Sequence, residues 1–365
     1  MRIVVAADKF SGSLTQAEVA AAVTAGVHDV DPTAQVDVVP VADGGDGTVD
    51  AFVAAGWERV VVTAAGPTGE PGPASYARRG TIVVVELAAV CGRLRLPGGV
   101  PAPLTATTTG LGEVVAAAVA AGATDVVVGL GGSASTDGGA GMLQALGVVL
   151  RDGAGRDLGP GGAALAHVTT VDLTRRRPRW AGVRLTAATD VANGLLGVDG
   201  AAAVYGPQKG ATAADVTRLD AALERFATAT GRPELAAVPG AGAAGGTGFG
   251  LLLLGATIRP GVDLVLDVAG FDDLVRGADL VVTGEGSLDR QSLSGKTVTG
   301  VARRAAAAGV RVVAVAGRCP LTPDELATVG VGAVATLQAL EPDLDRSMAG
   351  AASLLRRAIR GLLEG

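Results

Sequence analysis

Short runs of β-branched residues recur along the chain, and each empties into a polar, glycine-rich loop that opens an apolar stripe at helical spacing. The clearest case is Val126 to Leu150. Val126, Val127 and Val128 read as a buried strand. Gly131, Gly132, Gly138, Gly139 and Gly141, with Ser133, Ser135, Thr136 and Asp137 among them, read as a loop, and Met142, Leu143 and Leu146 resume as a helix. Such a join aims backbone N–H groups and the positive end of a helix dipole at one spot, which suits an anion such as phosphate.

The same logic organises both ends of the chain. Arg2 to Ala7 is a strand, DKFSGSL a loop, and Thr15 with Glu18 three residues on marks the start of a helix running to Val27. Gln35 to Val41, ADGGDGT and Val49 to Ala55 repeat the pattern. At the far end, Asp279 to Thr283 is a strand, GEGSLDRQSLSGKT a loop and Val298 to Ala308 a helix, followed by a strand at Val310 to Ala316 and a terminal helix at Met348 to Leu363. Between them, Val60 to Thr63 and Thr81 to Glu86 flank GPTGEPGP as hairpin-like strands, and a threonine cluster at 105–109 leads into a helix over Leu111 to Ala121. Residues 151–180 carry no assignable pattern. A strand ending at Asp190, the GPQKG turn, a helix over Ala213 to Thr230 and the loop GAGAAGGTGFG complete the middle. The predicted fold is therefore α/β with two domains. A discontinuous Rossmann-like domain with a doubly wound parallel sheet spans 1–62 and 265–365, and an inserted α/β domain carrying glycine-rich loops spans 63–264.

Composition sharpens this picture. Over 365 residues, 48% are hydrophobic but 2% aromatic, so Ala, Val and Leu must fill the cores; the length accommodates two. A net charge of −6, with no basic run longer than Arg175 to Arg177, leaves no footprint for nucleic acid. Cys91 and Cys319 lack the spacing of a zinc knuckle or a disulfide framework and fit a reducing compartment. No apolar run approaches the ~18–20 residues of a membrane span, and Met1 to Ala7 has no basic leader character, so a cytoplasmic protein is expected. His28 and His167 fall outside every glycine loop, which leaves little material for a histidine metal site or a Ser/His/Asp triad.

Three motifs invite other readings. GLGGSA at 129–134 fits GxGxxA after a strand and would serve a nicotinamide-dependent dehydrogenase of a small hydroxy acid. No clear second strand closing on an acidic residue is legible about 20 positions on, where a dinucleotide site needs one for the ribose. GAGAAG at 240–245 follows Pro239 rather than a strand. SGKT at 294–297 resembles the tail of a phosphate-binding P-loop, but Arg290 stands where that loop needs glycine. A non-catalytic protein that binds a sugar acid is the third class the loops allow.

The loops DKFSGSL, ADGGDGT, GLGGSASTDGGAGM, ATDVANGLLG, GPQKG, GAGAAGGTGFG and GEGSLDRQSLSGK combine carboxylates suited to Mg²⁺ with N–H groups and lysines suited to phosphate. In order and content, from Asp8 to Gly317, they resemble the bacterial class I glycerate kinase family. The resemblance implies transfer of the ATP γ-phosphate to D-glycerate, usually at the 2-hydroxyl, in a cleft between two α/β domains. A monomer or homodimer is expected. Two positions depart from the family pattern: Ser11 stands for the usual lysine after Phe10, with Lys9 adjacent, and Asp46 for the usual glutamate.

Candidate site residues follow. Asp190, at a strand end before ANG, is the expected base, with an Asx-turn through Asn193 and Gly194 as its structural alternative. Lys9 and Asp43 complete the catalytic set. Gly131, Gly132, Ser133, Ser135 and Lys296 are expected at phosphate, and Asp8, Lys209 and Arg290 at substrate. Asp43, Glu285 and Asp289 are expected at the metal.

Overall fold

The computed structural model describes residues 1–42, 44–175, 182–290, 292 and 297–364. Among these the strands are β1 (Arg2–Ala7), β2 (Gln35–Val38), β3 (Glu58–Ala65), β4 (Pro71–Arg79), β5 (Ile82–Glu86), β6 (Asp125–Gly129), β7 (Val149–Asp152), β8 (Val168–Asp172), β9 (Arg184–Ala188), β10 (Thr257–Arg259), β11 (Leu280–Ser287), β12 (Arg311–Arg318) and β13 (Ala333–Thr336). The chain folds as two compact units, one of residues 1–43, 50–56 and 262–365, the other of 44–49 and 57–261.

The first unit holds a five-stranded, wholly parallel sheet in the order β13-β12-β11-β1-β2. Counted along this unit's own strands, that is the doubly wound order 2-1-3-4-5, whose direction reverses between β1 and β11. β-branched runs form these strands because both faces are buried and the side chains alternate between two cores. Val4, Ala6, Val281 and Ala314 face Val262, Leu266, Phe271 and Val301. Ile3, Val5, Val282 and Val315 face Val19, Val23, Leu355 and Ile359. The helix Gln16–Val30 starts at Thr15, whose hydroxyl accepts from the Glu18 N–H while Glu18 reaches back to the Thr15 N–H, the reciprocal cap the sequence predicts. β2 stops at Val38, short of Val41, where Pro40 interrupts the ladder. The terminal helical stretch is divided by Gly350 into Leu344–Ala349 and Ala351–Glu364.

The second unit holds a six-stranded sheet in the order β10-β9-β6-β5-β4-β3. β5, β6, β9 and β10 run parallel, and β3, β4 and β5 form an antiparallel meander. β3 pairs along its whole length with β4, so the chain, after a first passage at 44–49, enters this unit for good at 57, where the sequence places the change after 62; the return falls at 261/262, against 264/265. β7, which begins at Val149, and β8, within the stretch without an assignable pattern, form a two-stranded antiparallel ribbon. The core is aliphatic, with Phe226 and Phe249 meeting edge to face at 5.7 Å between ring centroids.

Candidate functional site

In the first unit the strand ends converge on a cavity of about 560 Å³. Asp8 and Lys9 follow β1 directly, Glu285 and Ser287 close β11, Gly317 and Arg318 close β12, and Leu337 follows β13. The cavity thus opens at the carboxyl edge of the sheet, over the β1/β11 reversal, where open α/β sheets hold ligands. The reversal is pinned by the Asp8 N–H, which donates to Gly284 O at 2.8 Å. Asp8 Oδ1 accepts from the Lys9 N–H at 2.7 Å, and Arg318 Nε donates to Ser287 Oγ at 3.0 Å. Four of the expected residues, Asp8, Lys9, Glu285 and Asp289, line this one cavity. Arg290 does not. It is exposed and pairs at 3.3 Å with Glu325, which caps the helix Pro323–Thr328. Among the described residues no three His, Cys, Asp or Glu side chains gather closely enough to hold a metal. Asp43 and Lys296 lie outside the described residues.

In the second unit β6 ends at Gly129 and delivers the glycine loop. A side chain on Gly131 would put its Cβ 2.2 Å from Gly45 Cα, so two backbones touch there and only glycine fits. Gly132, with φ +66°, is the exposed turn residue. Ser133 and Ser135, by contrast, are buried. Lys209, only 4% exposed, reaches them from the GPQKG turn, donating from Nζ to Ser133 Oγ at 2.7 Å and to Ser135 O at 2.5 Å. Burial pushes its ammonium down to about 7, and the Asp137 carboxylate pulls the other way. Gly245, φ +68°, makes room for it: a Cβ there would stand 2.0 Å from Ser135 O and 2.8 Å from Lys209 Nζ.

Asp137 fixes the rest of the loop. Its buried carboxylate accepts from the Thr108 N–H (2.8 Å), Thr108 Oγ1 (2.9 Å), the Gly139 N–H (3.1 Å) and the Gly141 N–H (3.3 Å). Burial raises its pKa while the Thr108 and glycine donors lower it. Thr108 Oγ1 in turn accepts from the Met142 N–H at 3.0 Å, joining the starts of the helices Thr109–Ala120 and Ala140–Ala145 through one hydroxyl. After GLGGSA the backbone therefore crosses this buried polar knot before a six-residue helix begins, unlike the direct strand-to-helix turn of a dinucleotide fingerprint.

Asp190 lies two residues past β9, whose end is in register with that of β6 at Ala188 and Gly129. It shares the edge of the sheet from which the glycine loop leaves. The residue is exposed, and Oδ1 accepts from the Gly261 N–H at 2.9 Å, at the first residue of the helix Gly261–Ala269. Asn193 is engaged elsewhere, by Asp199 O and the Tyr205 hydroxyl.

Several residues at these places escape sequence reasoning. Glu86, buried at the end of β5, accepts from the Gly47 N–H (3.0 Å) and the Val49 N–H (2.9 Å) and so holds the ADGGDGT loop. An acid closing an apolar run, as at Asp8 and Asp190, was the available signal. Arg318, Gln338, Glu341 and Met348 reach the first cavity from elements with no glycine loop to mark them.

A family model described as the glycerate kinase family matches residues 3–364. The glycerate kinase of Halalkalibacterium halodurans is 42% identical over 367 residues, covering 99% of this chain and 97% of that one. The glycerate 2-kinase of Escherichia coli is 39% identical over 373 residues, with 99% and 97% covered. The crystal structure of a candidate glycerate kinase 2 from Salmonella typhimurium LT2 superposes with a TM-score of 0.87 at 37% identity, covering 100% of this chain and 99% of that one.

Proposed function

The chain belongs to the glycerate kinase family, and from that premise we propose that it transfers the γ-phosphoryl group of ATP to the 2-hydroxyl of D-glycerate, giving ADP and 2-phosphoglycerate. The observation that carries this reading is the match over residues 3–364, with relatives named glycerate kinase or glycerate 2-kinase covered nearly end to end.

The residues present suit an ATP·Mg²⁺ reactant. Phosphoryl transfer calls mainly for positioning and charge neutralisation. Carboxylates at Asp8, Glu285 and Asp289 line one cavity without clustering as a three-carboxylate site, and Mg²⁺ is usually held by one or two carboxylates together with phosphate oxygens, the part expected of Glu285 and Asp289. Bound there, Mg²⁺ would offset the charge developing on the phosphates. From the sequence, Asp43 belongs with this metal side and Lys296 with phosphate. In the second unit the exposed turn at Gly132 is the part of this loop left to an anion, since the Gly131 N–H donates to Gly44 O at 3.1 Å, and Ser133, Ser135 and Lys209 hold the loop's shape. Asp190, exposed at the same sheet edge, takes the proton from the glycerate hydroxyl.

With ATP, Mg²⁺ and D-glycerate, a coupled assay should register ADP, and phosphorus NMR should show the 2-phosphate. ADP release that stays flat across D-glycerate and related hydroxy acids would overturn the reading. A 3-phosphate product would overturn only its regiochemistry.

A further inference from the structure

We infer that the cavity over the β1/β11 reversal receives the nucleoside half of ATP, with the base against its apolar lining and the ribose on its carboxylates. This rests on the kinase reading above and adds to it which reactant, and which part of it, this cavity takes.

Three features of the cavity select that occupant. The first is charge. Asp8, Glu285, Asp289 and Glu341 line it against Lys9 and Arg318. Glycerate and the triphosphate are anions and tolerate an excess of carboxylates only where Mg²⁺ stands between them, whereas adenosine is the one neutral part of either reactant and needs no cation there. Carboxylates at strand ends are also natural acceptors for ribose hydroxyls. The second is size. About 560 Å³ falls within the roughly 300–1,000 Å³ of sites for molecules of nucleoside size and is generous for a three-carbon acid.

The third is the apolar part of the lining. Phe10, Leu337, Leu344 and Met348 form it. Leu344 is 70% exposed and Met348 39%, large apolar side chains turned outward on a short helix that has polar alternatives at every turn. Grouped apolar exposure beside a cavity marks a surface meant to be covered, and a flat heteroaromatic base covers it while leaving its edges to polar groups such as Gln338. Met348 also packs against the loop after β1, its Cε 3.1 Å from where a Cβ on Gly12 would lie.

The test is isothermal titration of the full-length protein with ADP and Mg²⁺, and separately with tripolyphosphate, which has no nucleoside. Met348→Trp fills the cavity and Leu344→Glu charges its wall; both positions are partly exposed, so folding should survive, and the melting temperature checks this. Each variant should weaken ADP by tenfold or more, with KM for ATP rising in parallel. Tripolyphosphate affinity and KM for D-glycerate should move less than twofold. Wild-type ADP affinity in both variants, an equal loss for tripolyphosphate, or a rise confined to the KM for glycerate would overturn the inference. A wild-type protein that binds ADP in this variant-sensitive way yet phosphorylates no glycerate would sink the proposed reaction and leave the nucleoside site standing.

Discussion

Lys209 Nζ donates to Ser133 Oγ at 2.7 Å, across 76 residues of chain and inside a core where an ammonium group has almost no water. The contact ties the GPQKG turn to the loop after β6, and it makes the protonation of one lysine part of the stability of the second unit.

Lys209 should therefore give stability a measurable dependence on pH. Its native value is about 7, against an ordinary 10.5. Between those values the unfolded chain holds a proton that the native protein has released, so stability rises with pH through that window, by at most ~1.4 kcal/mol per pH unit. Below about pH 7 both states are protonated and the cost of burial is borne in full. Lys209→Met keeps the stem and removes the titration. Urea denaturation from pH 7 to 10 should show wild type gaining on the variant as pH rises; a constant difference would mean that Lys209 stays charged.

Asp137 should be worth more as a carboxylate than as anything of its shape. Asparagine can accept at one oxygen but turns an NH₂ group toward the donors that now meet the other. Asp137→Asn should cost about 2–4 kcal/mol in urea denaturation, in the range for breaking a buried, charge-assisted network. A loss below ~0.5 kcal/mol would show that the knot does not depend on the charge.

Asp190→Asn separates chemistry from capping. The amide oxygen of asparagine can still accept from the Gly261 N–H, so the start of the helix Gly261–Ala269 is kept. A lost base should lower kcat by roughly 10²–10⁴-fold with an unchanged melting temperature. Near-normal kcat would make Asp190 structural and send the search for the base to Asp8, Asp43 and Asp289.

The two cysteines should react differently. Cys91 is fully buried and burial pushes its thiol up to about 12, whereas Cys319 is half-buried with a smaller upward push. In the native protein a maleimide should label Cys319 slowly at pH 8 and leave Cys91 untouched until denaturant is added, as mass spectrometry of tryptic peptides would show.

Much of the fold is written locally. The Thr15 and Glu18 cap, the valine runs of β6 and β11 and the helix Ala213–Ala229 depend on neighbours a few residues away, and periodicity exposes them. β7 and β8 escape because their pairing spans a long glycine- and alanine-rich connection and each strand has only four or five residues. The candidate site divides the same way. Asp8, Glu285 and Asp190 stand out as acids after apolar runs. That Asp137 binds the threonine pair 29 residues earlier, or that Met348 returns to the loop after β1, is settled by tertiary packing and leaves no local trace.

The parallel pairing of β1 with β11 also sets an order for biosynthesis. Thr283 Oγ1 donates to Ala6 O across 277 residues, so the first strand to leave the ribosome waits for one of the last before it has a neighbour on that side. At ~5–20 residues per second, that wait is on the order of tens of seconds. Meanwhile residues 57–261 emerge as an uninterrupted stretch with its own core and can fold as they appear. During that interval the edge of β1 that β11 will cover stays unpaired, while β2 can already take the other. This makes Arg2–Ala7 a natural holding point for a chaperone.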